Sequence, residues 1–404
     1  MRLSDIRLYD PDVFQQRLPY EWFDHLREHA PVHRFDDPIQ GVPFWAVTKH
    51  ADVVEVSRHP ETFSSFERTS LFREPVLDNE LAEQQLMMVN MDPPQHTRLR
   101  SIVNKGFTPR MIGRLEDRIR EYTEEIVDRA LAKGEGDFVE LVSAELPLEV
   151  IAEIMGAPIE DRAKIFDLSN RLIGFDDPEF QTGPEEARIA AAEMYMYSEA
   201  LRQQRETEPR DDIVTKLAEA EVDGNKLDPL EFNLFFRLLS VAGNETTRNA
   251  ISHGLQAMFD HPDQWERLKV DPAGLAATAA DEIIRWAHPV IQFRRQTMAD
   301  TTIGDVDIPA GEKVVIYYAS ANRDEDVFDA PYTFDVGRDP NPHISFGGGG
   351  PHFCLGAHLA KLEVKIMFET LAGRMPNVRP TGTPRRLRST FINGIKEMPV
   401  SFTG

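Results

Sequence analysis

The chain has 404 residues, 41% of them hydrophobic, with 68 acidic against 45 basic side chains and a net charge of −23. That acid excess argues against nucleic acid as a partner, which needs basic surface to displace phosphate counterions. A single cysteine, Cys354, excludes an intrachain disulfide and fits a reducing cytoplasm.

The first residues, MRLSDIRLYDPDVF, carry charges throughout and lack the apolar core of a secretory signal. No run reaches the ~18 uncharged apolar residues of a spanning helix, so a cytoplasmic protein with no membrane span is expected. No linker, charge block or fixed-period repeat divides the chain, and residues 1–404 read as a single large domain.

Pro31–Phe35 and Phe44–Val47 alternate like a short hairpin. Ala51–Ser57 is predicted helical, and residues 64–90 read as a long irregular surface region. From Thr108 to about Glu219 the apolar spacing is mainly helical, as in Met111–Ala132, with a turn near Phe175 and Phe180. Asp228 as N-cap and Pro229 as first-turn proline predict a helix ending at Asp260, before His261-Pro262. Another covers Leu275–Trp286. Short strand-like runs follow at Val290–Phe293, Thr302–Ile308 and Val314–Tyr318, and a last helix runs from about Leu355 to Met375. The expected class is mostly α with a small β portion.

The run Phe346-Gly347-Gly348-Gly349-Gly350-Pro351-His352-Phe353-Cys354-Leu355-Gly356 is the strongest chemical signal. Consecutive glycines permit positive φ and close approach of another group. Cys354 then opens a helix, whose unpaired N–H groups and positive dipole end favour thiolate. Such a thiolate suits ligation of a flat iron cofactor. The competing reading, a small buried hydrophobe, does not explain the glycines or the flanking His352 and Gly356.

Midway along the 229–260 segment lies Ala242-Gly243-Asn244-Glu245-Thr246-Thr247. A glycine and two threonines are poor helix formers, and such local inconsistency marks functional sites. Threonine hydroxyls can bond backbone carbonyls in place of helix bonds, and a carboxylate beside an alcohol supplies a proton path. The competing reading pairs Glu245 with Arg248 on a solvated face. Glu282 and Arg285 are spaced as a helical ion pair, which by itself is ordinary surface decoration.

These motifs together resemble the cytochrome P450 family over nearly the whole chain. The resemblance implies the P450 fold, with haem b between the long helix and the cysteine loop, and Cys354 as metal ligand. Phe346 and Gly356 belong to the haem-binding signature, Ala242 to the cofactor-contacting stretch, and Glu245 and Thr246 to the oxygen-activation motif as acid and alcohol. Glu282, Arg285 and Arg338 match the family's structural triad. His96, Arg100, Arg295 and His352 match the haem propionate contacts; Arg294 is set aside. Val290, Ile291, Phe293, Phe391 and Ile392 are expected to line a substrate pocket, with Phe175 and Phe180 part of a lid.

Phe346 lies eight residues before Cys354, one more than the general pattern. The longer loop is similar to that of bacterial enzymes acting on sterol side chains and methyl-branched lipids. The implied function is a monooxygenase that inserts one atom of O₂ into a C–H bond of a methyl-branched isoprenoid lipid or sterol side chain at or near its terminus. Terpenoid hydroxylation, a peroxide-using peroxygenase and a non-catalytic haem protein are the alternatives. Nothing resembles a fused electron-transfer domain, so electrons from NAD(P)H are expected through a separate [2Fe–2S] ferredoxin and ferredoxin reductase.

Overall fold

The computed structural model describes the chain apart from residues 40, 42, 70–77, 105–106, 174–175, 181–183, 211, 220, 223–224 and 404. Helices dominate, and one mixed sheet lies beside them. Strands β1 (Val32–Phe35) and β2 (Phe44–Val47) form the expected antiparallel hairpin. Helix α1 (His50–Arg58) and strand β3 (Phe63–Ser64) follow. The sheet is completed by β4 (Gln292–Thr297) and β5 (Lys313–Tyr317) in the order β1-β2-β5-β4-β3, with β5 parallel to β2.

The helical layer contains α2 (Gln95–Val103), α3 (Glu116–Lys133), α4 (Glu145–Met155), α5 (Arg162–Ile173) and α6 (Pro184–Thr207). The central α7 (Pro229–Asp260), then α8 (Pro272–Ala287) and α9 (Ala357–Arg374), complete it. Helix α7 has 32 residues, about 48 Å of rise. It begins where the sequence placed it, because Asp228 and Glu231 form a reciprocal capping box ahead of Pro229. One apolar cluster joins α3, α4, α7, α8 and α9, with Ile126, Ile251, Leu255, Ile283, Val364 and Phe368 among its fully buried members.

Two local expectations change. The 111–132 pattern breaks into Pro109–Gly113 and α3, where Gly113 and Arg114 interrupt the spacing. The region 64–90 is not wholly irregular: Asp78–Gln85 is helical and Met88–Asn90 forms a 3₁₀ turn. A tertiary contact anchors that helix, since Arg237 of α7 donates to Glu83 Oε1 at 3.0 Å.

Glu282, Arg285 and Arg338 do come together. Arg285 grips the Glu282 carboxylate with two 2.7 Å hydrogen bonds, and both side chains are 0% exposed. Arg338 Nε lies 3.2 Å from Glu282 Oε2; the Asp335 N–H and the Asn341 amide also donate to Glu282. Arg285 further donates to the Asn322 carbonyl at 2.9 Å. Asn322 in turn holds the Ile344 N–H and the Ser345 hydroxyl at 2.8 Å each, and the Phe346 carbonyl accepts the Cys354 N–H at 2.9 Å. A continuous polar chain thus runs from α8 to the cysteine loop.

Removing one partner of a fully buried, multiply bonded ion pair leaves an uncompensated charge costing about 3–5 kcal/mol. Glu282→Ala is expected to lower denaturation stability by that order and to give haem-poor, aggregating protein, with Glu282→Gln intermediate. Equilibrium unfolding and haem-to-protein absorbance ratios check this.

Candidate active site

The cysteine loop is shaped by the helix packed beneath it. Gly350 has φ +74°, and a Cβ there would run into the Ser57 backbone carbonyl; one at Gly348 would meet Val54 and Ser57. Arg58 Nε donates to the Gly348 carbonyl at 3.2 Å. The glycine run therefore serves first to seat the loop on α1. On its far side, Gly356 has open space around its would-be Cβ, and it N-caps α9. Phe346 packs against the helical core, with Lys361 Nζ 5.7 Å above its ring.

Arg100 of α2 donates to the Phe353 carbonyl at 2.7 Å and to Asn104 Oδ1 at 3.0 Å, clamping the loop just before the cysteine. Burial pushes the Cys354 thiol up, while the Gly356 N–H and the Arg100 cation favour the thiolate. A bound metal cation would tip that balance to thiolate outright.

Around Cys354 stand the cationic and imidazole groups the sequence singled out. The His96 and His352 rings lie 4.3 Å apart between centroids. Desolvation and the Arg100 charge lower His96 to about 4. Desolvation, then Arg295 and His96, hold His352 well below its usual value, so both rings are neutral near pH 7. His96 Nδ1 and His352 Nε2 are buried without a hydrogen-bond partner among the described residues. Two orphaned imidazole nitrogens between Arg100 and the buried Arg295 are a suitable seat for the two carboxylates of haem, since buried charge requires hydrogen-bonded positive partners. The residues present fit the group. Tyr318, which the sequence reading missed, belongs here too: its hydroxyl is within electrostatic reach of Arg295 and Cys354, and burial raises it to about 12. As the last residue of an ordinary strand-like run, it carried no motif.

On α7, Ala242 is exposed and Thr246 half-buried, whereas Asn244, Glu245, Thr247 and Arg248 are buried. Residues 242 and 246 thus make one open strip a helical turn apart, and Thr246 Oγ1 donates to the Ala242 carbonyl at 2.8 Å. Gly243 has a different cause from the expected one. A Cβ there would strike Ile151 of α4, so helix packing explains that glycine. The Glu245–Arg248 pair exists, but in the interior rather than on a solvated face: both residues are buried, and Arg248 also donates to Asn170 of α5 at 3.2 Å. Desolvation raises the Glu245 carboxyl, against the opposing pull of Arg248.

The expected pocket residues divide. Phe293 and Phe391 meet edge to face at 5.5 Å, and Val290 bridges to Ile392. Val290, Phe391, Val241 of α7 and Phe180 all pack on the buried pair Leu387–Ile392. Ile291 is a correction: it is 1% exposed and packs with Phe14, Phe23 and Tyr317 in a separate N-terminal cluster, because it points to the opposite side from Val290. Ile392 is likewise 1% exposed, a floor beneath the wall rather than part of its surface. Phe175 lies outside the described residues.

Residues 275–374 match the family model for cytochrome P450. The chain is 47% identical over 97% of its length, and 84% of the relative's, to a steroid C26-monooxygenase of Rhodococcus jostii. It belongs to the cytochrome P450 family. Its methyl-branched lipid omega-hydroxylase relative in Mycobacterium tuberculosis is 42% identical, covering 94% of this chain and 90% of that protein. A Mycobacterium marinum P450 solved in complex with pseudoionone superimposes with TM-score 0.90 at 39% identity, covering 98% of both chains. This P450 is therefore a haem-iron monooxygenase that uses O₂, takes electrons from redox partners and acts on a hydrophobic substrate. No described helix is long and apolar enough to cross a membrane.

The wall segment 391–393 is tied to α7 by histidine. His253 Nε2 donates to the Asn393 carbonyl at 2.9 Å, and Asn393 Nδ2 donates to the Ala287 carbonyl at 2.7 Å. Desolvation and Arg386 lower His253 from 6.5 to about 3. Because the folded value is depressed, the unfolded chain binds more protons between those limits, and stability falls as pH drops through that window. His253→Gln, which keeps a donor but does not titrate, is expected to flatten the loss of unfolding free energy between about pH 6.5 and 4.

Proposed function

We propose that this P450 hydroxylates a sterol or methyl-branched isoprenoid side chain at or near its terminal methyl. The observation that carries the reading is an apolar wall (Val290, Phe391 and Val241, with Phe293 edge-on to Phe391) that meets α7 at Val241, the residue before the open Ala242–Thr246 strip. None of those four residues carries an ionisable group, which suits a hydrocarbon end. The names of the relatives, steroid C26-monooxygenase and methyl-branched lipid omega-hydroxylase, point to the same substrate class.

Cys354 Sγ would hold the haem iron, and His96, His352, Arg295 and Arg100 its carboxylates. Bound haem iron supplies activation of O₂ and insertion of one oxygen atom into a C–H bond. The protein's own part is positioning and proton supply. Terminal methyls resist oxidation more than the secondary or tertiary carbons beside them, so the wall must hold the methyl over the open strip and exclude its neighbours; such placement is worth several kcal/mol. Thr246 carries the last hydroxyl on that strip. Glu245, its neighbour in sequence, can exchange Arg248 for solvent or Thr246 and so replenish the proton. A peroxide-driven enzyme or a haem carrier would need neither group. Electrons are taken to come from NAD(P)H through a [2Fe–2S] ferredoxin and its reductase, in the cytoplasm.

Cys354→Ser is expected to abolish the thiolate-type absorption of the reduced carbon monoxide complex. Thr246→Ala should keep haem and substrate binding but divert NADH electrons to peroxide or water, by a factor of about 10 or more in coupling; undiminished coupling would remove Thr246 from proton delivery. With ferredoxin and reductase supplied, cholesterol or a methyl-branched isoprenoid acid should yield a terminal alcohol. Turnover of compact terpenoids alone would overturn the substrate assignment.

A further inference from the structure

A histidine three residues before Phe346 stands outside the groups assigned to haem, oxygen and substrate. The His343 side chain is only 3% exposed, and its Nε2 lies 3.5 Å from Asp281 Oδ1 on α8. The same carboxylate oxygen lies 2.7 Å from Lys361 Nζ on α9. His343 Nδ1 accepts the Ser345 N–H at 3.4 Å. A ring nitrogen accepts only when it carries no proton, so the neutral ring holds its proton on Nε2, on the side of Asp281. Burial keeps the imidazole below its ordinary value, against the pull of Asp281. Burial also pushes the Asp281 carboxyl up, but His343 and Lys361 together outweigh it and hold that group below the usual carboxylate range. A neutral imidazole, a carboxylate and an ammonium thus meet from three segments of the chain.

What they meet around is Phe346. Its ring centroid lies 5.7 Å from that of His343, at an interplanar angle of 49°, and 5.7 Å from Lys361 Nζ. A cation at that distance is attracted to the ring face. The backbone of the same residue reaches the ligand, since the Phe346 carbonyl accepts the Cys354 N–H at 2.9 Å. Ser345, which gives its N–H to His343, is fixed independently by its hydroxyl, which donates to the Ile284 carbonyl at 2.9 Å. Groups that turn or shield the N–H donors near a thiolate set how far the sulfur donates electron density, and hence the potential of the metal it holds.

We propose that His343 is a positioning residue for the cysteine ligand, acting through Phe346, and that the Asp281–Lys361 pair fixes its tautomer and tilt. The effect passes from the imidazole to the Phe346 ring, and from the Phe346 carbonyl to the Cys354 N–H. While Phe346 is held, its carbonyl keeps that N–H engaged. Once Phe346 is loosened, the N–H and water can turn to the sulfur. A positive dipole nearer the thiolate favours the reduced, more negative centre, so loss of the His343 link raises the reduction potential. The proposal rests on the reading that Cys354 Sγ holds the haem iron.

The test is a redox titration of haem-loaded full-length protein, followed by absorbance. His343→Phe keeps a ring beside Phe346 but loses both nitrogens. It should raise the reduced-to-oxidised ratio at a fixed applied potential about tenfold, which for one electron is about 59 mV. His343→Gln, which keeps a donor for Asp281, should stay closer to the parent than His343→Phe does. Asp281→Asn removes a negative charge and raises the potential by itself, so the coupling is read from the double variant. In a His343→Phe background the Asp281→Asn shift should fall to less than half. A parent-like potential in His343→Phe, an equal shift in His343→Gln, or the same Asp281→Asn shift in both backgrounds would overturn the proposal. Should His343→Phe fail to retain haem, His343→Asn, which keeps the Ser345 contact and loses that to Asp281, takes its place under the same criteria. A parent protein without a thiolate-type carbon monoxide spectrum would sink the underlying reading as well, whereas a normal spectrum with unmoved potentials sinks the role of His343 alone.

Discussion

Burying the Glu282 carboxylate commits the proximal side of the molecule to one arrangement. A carboxylate with no access to water must have its oxygens satisfied, and here Arg285, Arg338, Asn341 and the Asp335 N–H do so. Those donors come from segments far apart in sequence, so satisfying one acid brings α8, the 322–345 stretch and the cysteine loop to fixed positions. From Arg285 the chain of hydrogen bonds continues through Asn322 and Ser345 to the residues that precede Cys354. Charge burial, costly by itself, thereby becomes the device that registers the loop.

The loop is held from two other sides. Helix α1 fits under Gly348 and Gly350 so closely that no side chain could stand there, and Arg100 grips the Phe353 carbonyl from α2. The cysteine is thus presented by three separate elements and does not depend on its own short turn for placement. Such support is what a reactive centre requires, because small displacements at the ligand are amplified in the chemistry.

The distal side has another logic. Helix α7 carries an open strip at Ala242 and Thr246 between buried polar neighbours, and its acid is kept inside by Arg248 and Asn170. Around its Val241 an apolar wall gathers from three other separated parts of the chain, Phe180, Val290 and Phe391. Proximal residues fix a position, whereas distal ones set a shape and a proton route.

Much was legible from the sequence alone. Capping chemistry at Asp228-Pro229 and the stop at His261-Pro262 determined the ends of α7 to the residue, because helix termini are decided by local hydrogen bonding. The glycine loop and the Glu-Thr pair likewise announced themselves, as residues that local propensity would not place together, whereas the glutamate–arginine spacing was ordinary by itself and stood out only through the family resemblance. What only the tertiary structure decided were facing and partnership. Gly243 looked like a functional irregularity and proved to be a seat for Ile151; Ile291 looked like pocket lining and faced the other way. Tyr318 gave no signal at all, since its proximity to Arg295 and Cys354 arises from strands and loops separated in sequence. Local rules act over a few residues, but the side to which an apolar residue turns, and the charge that it meets there, depend on segments hundreds of residues away.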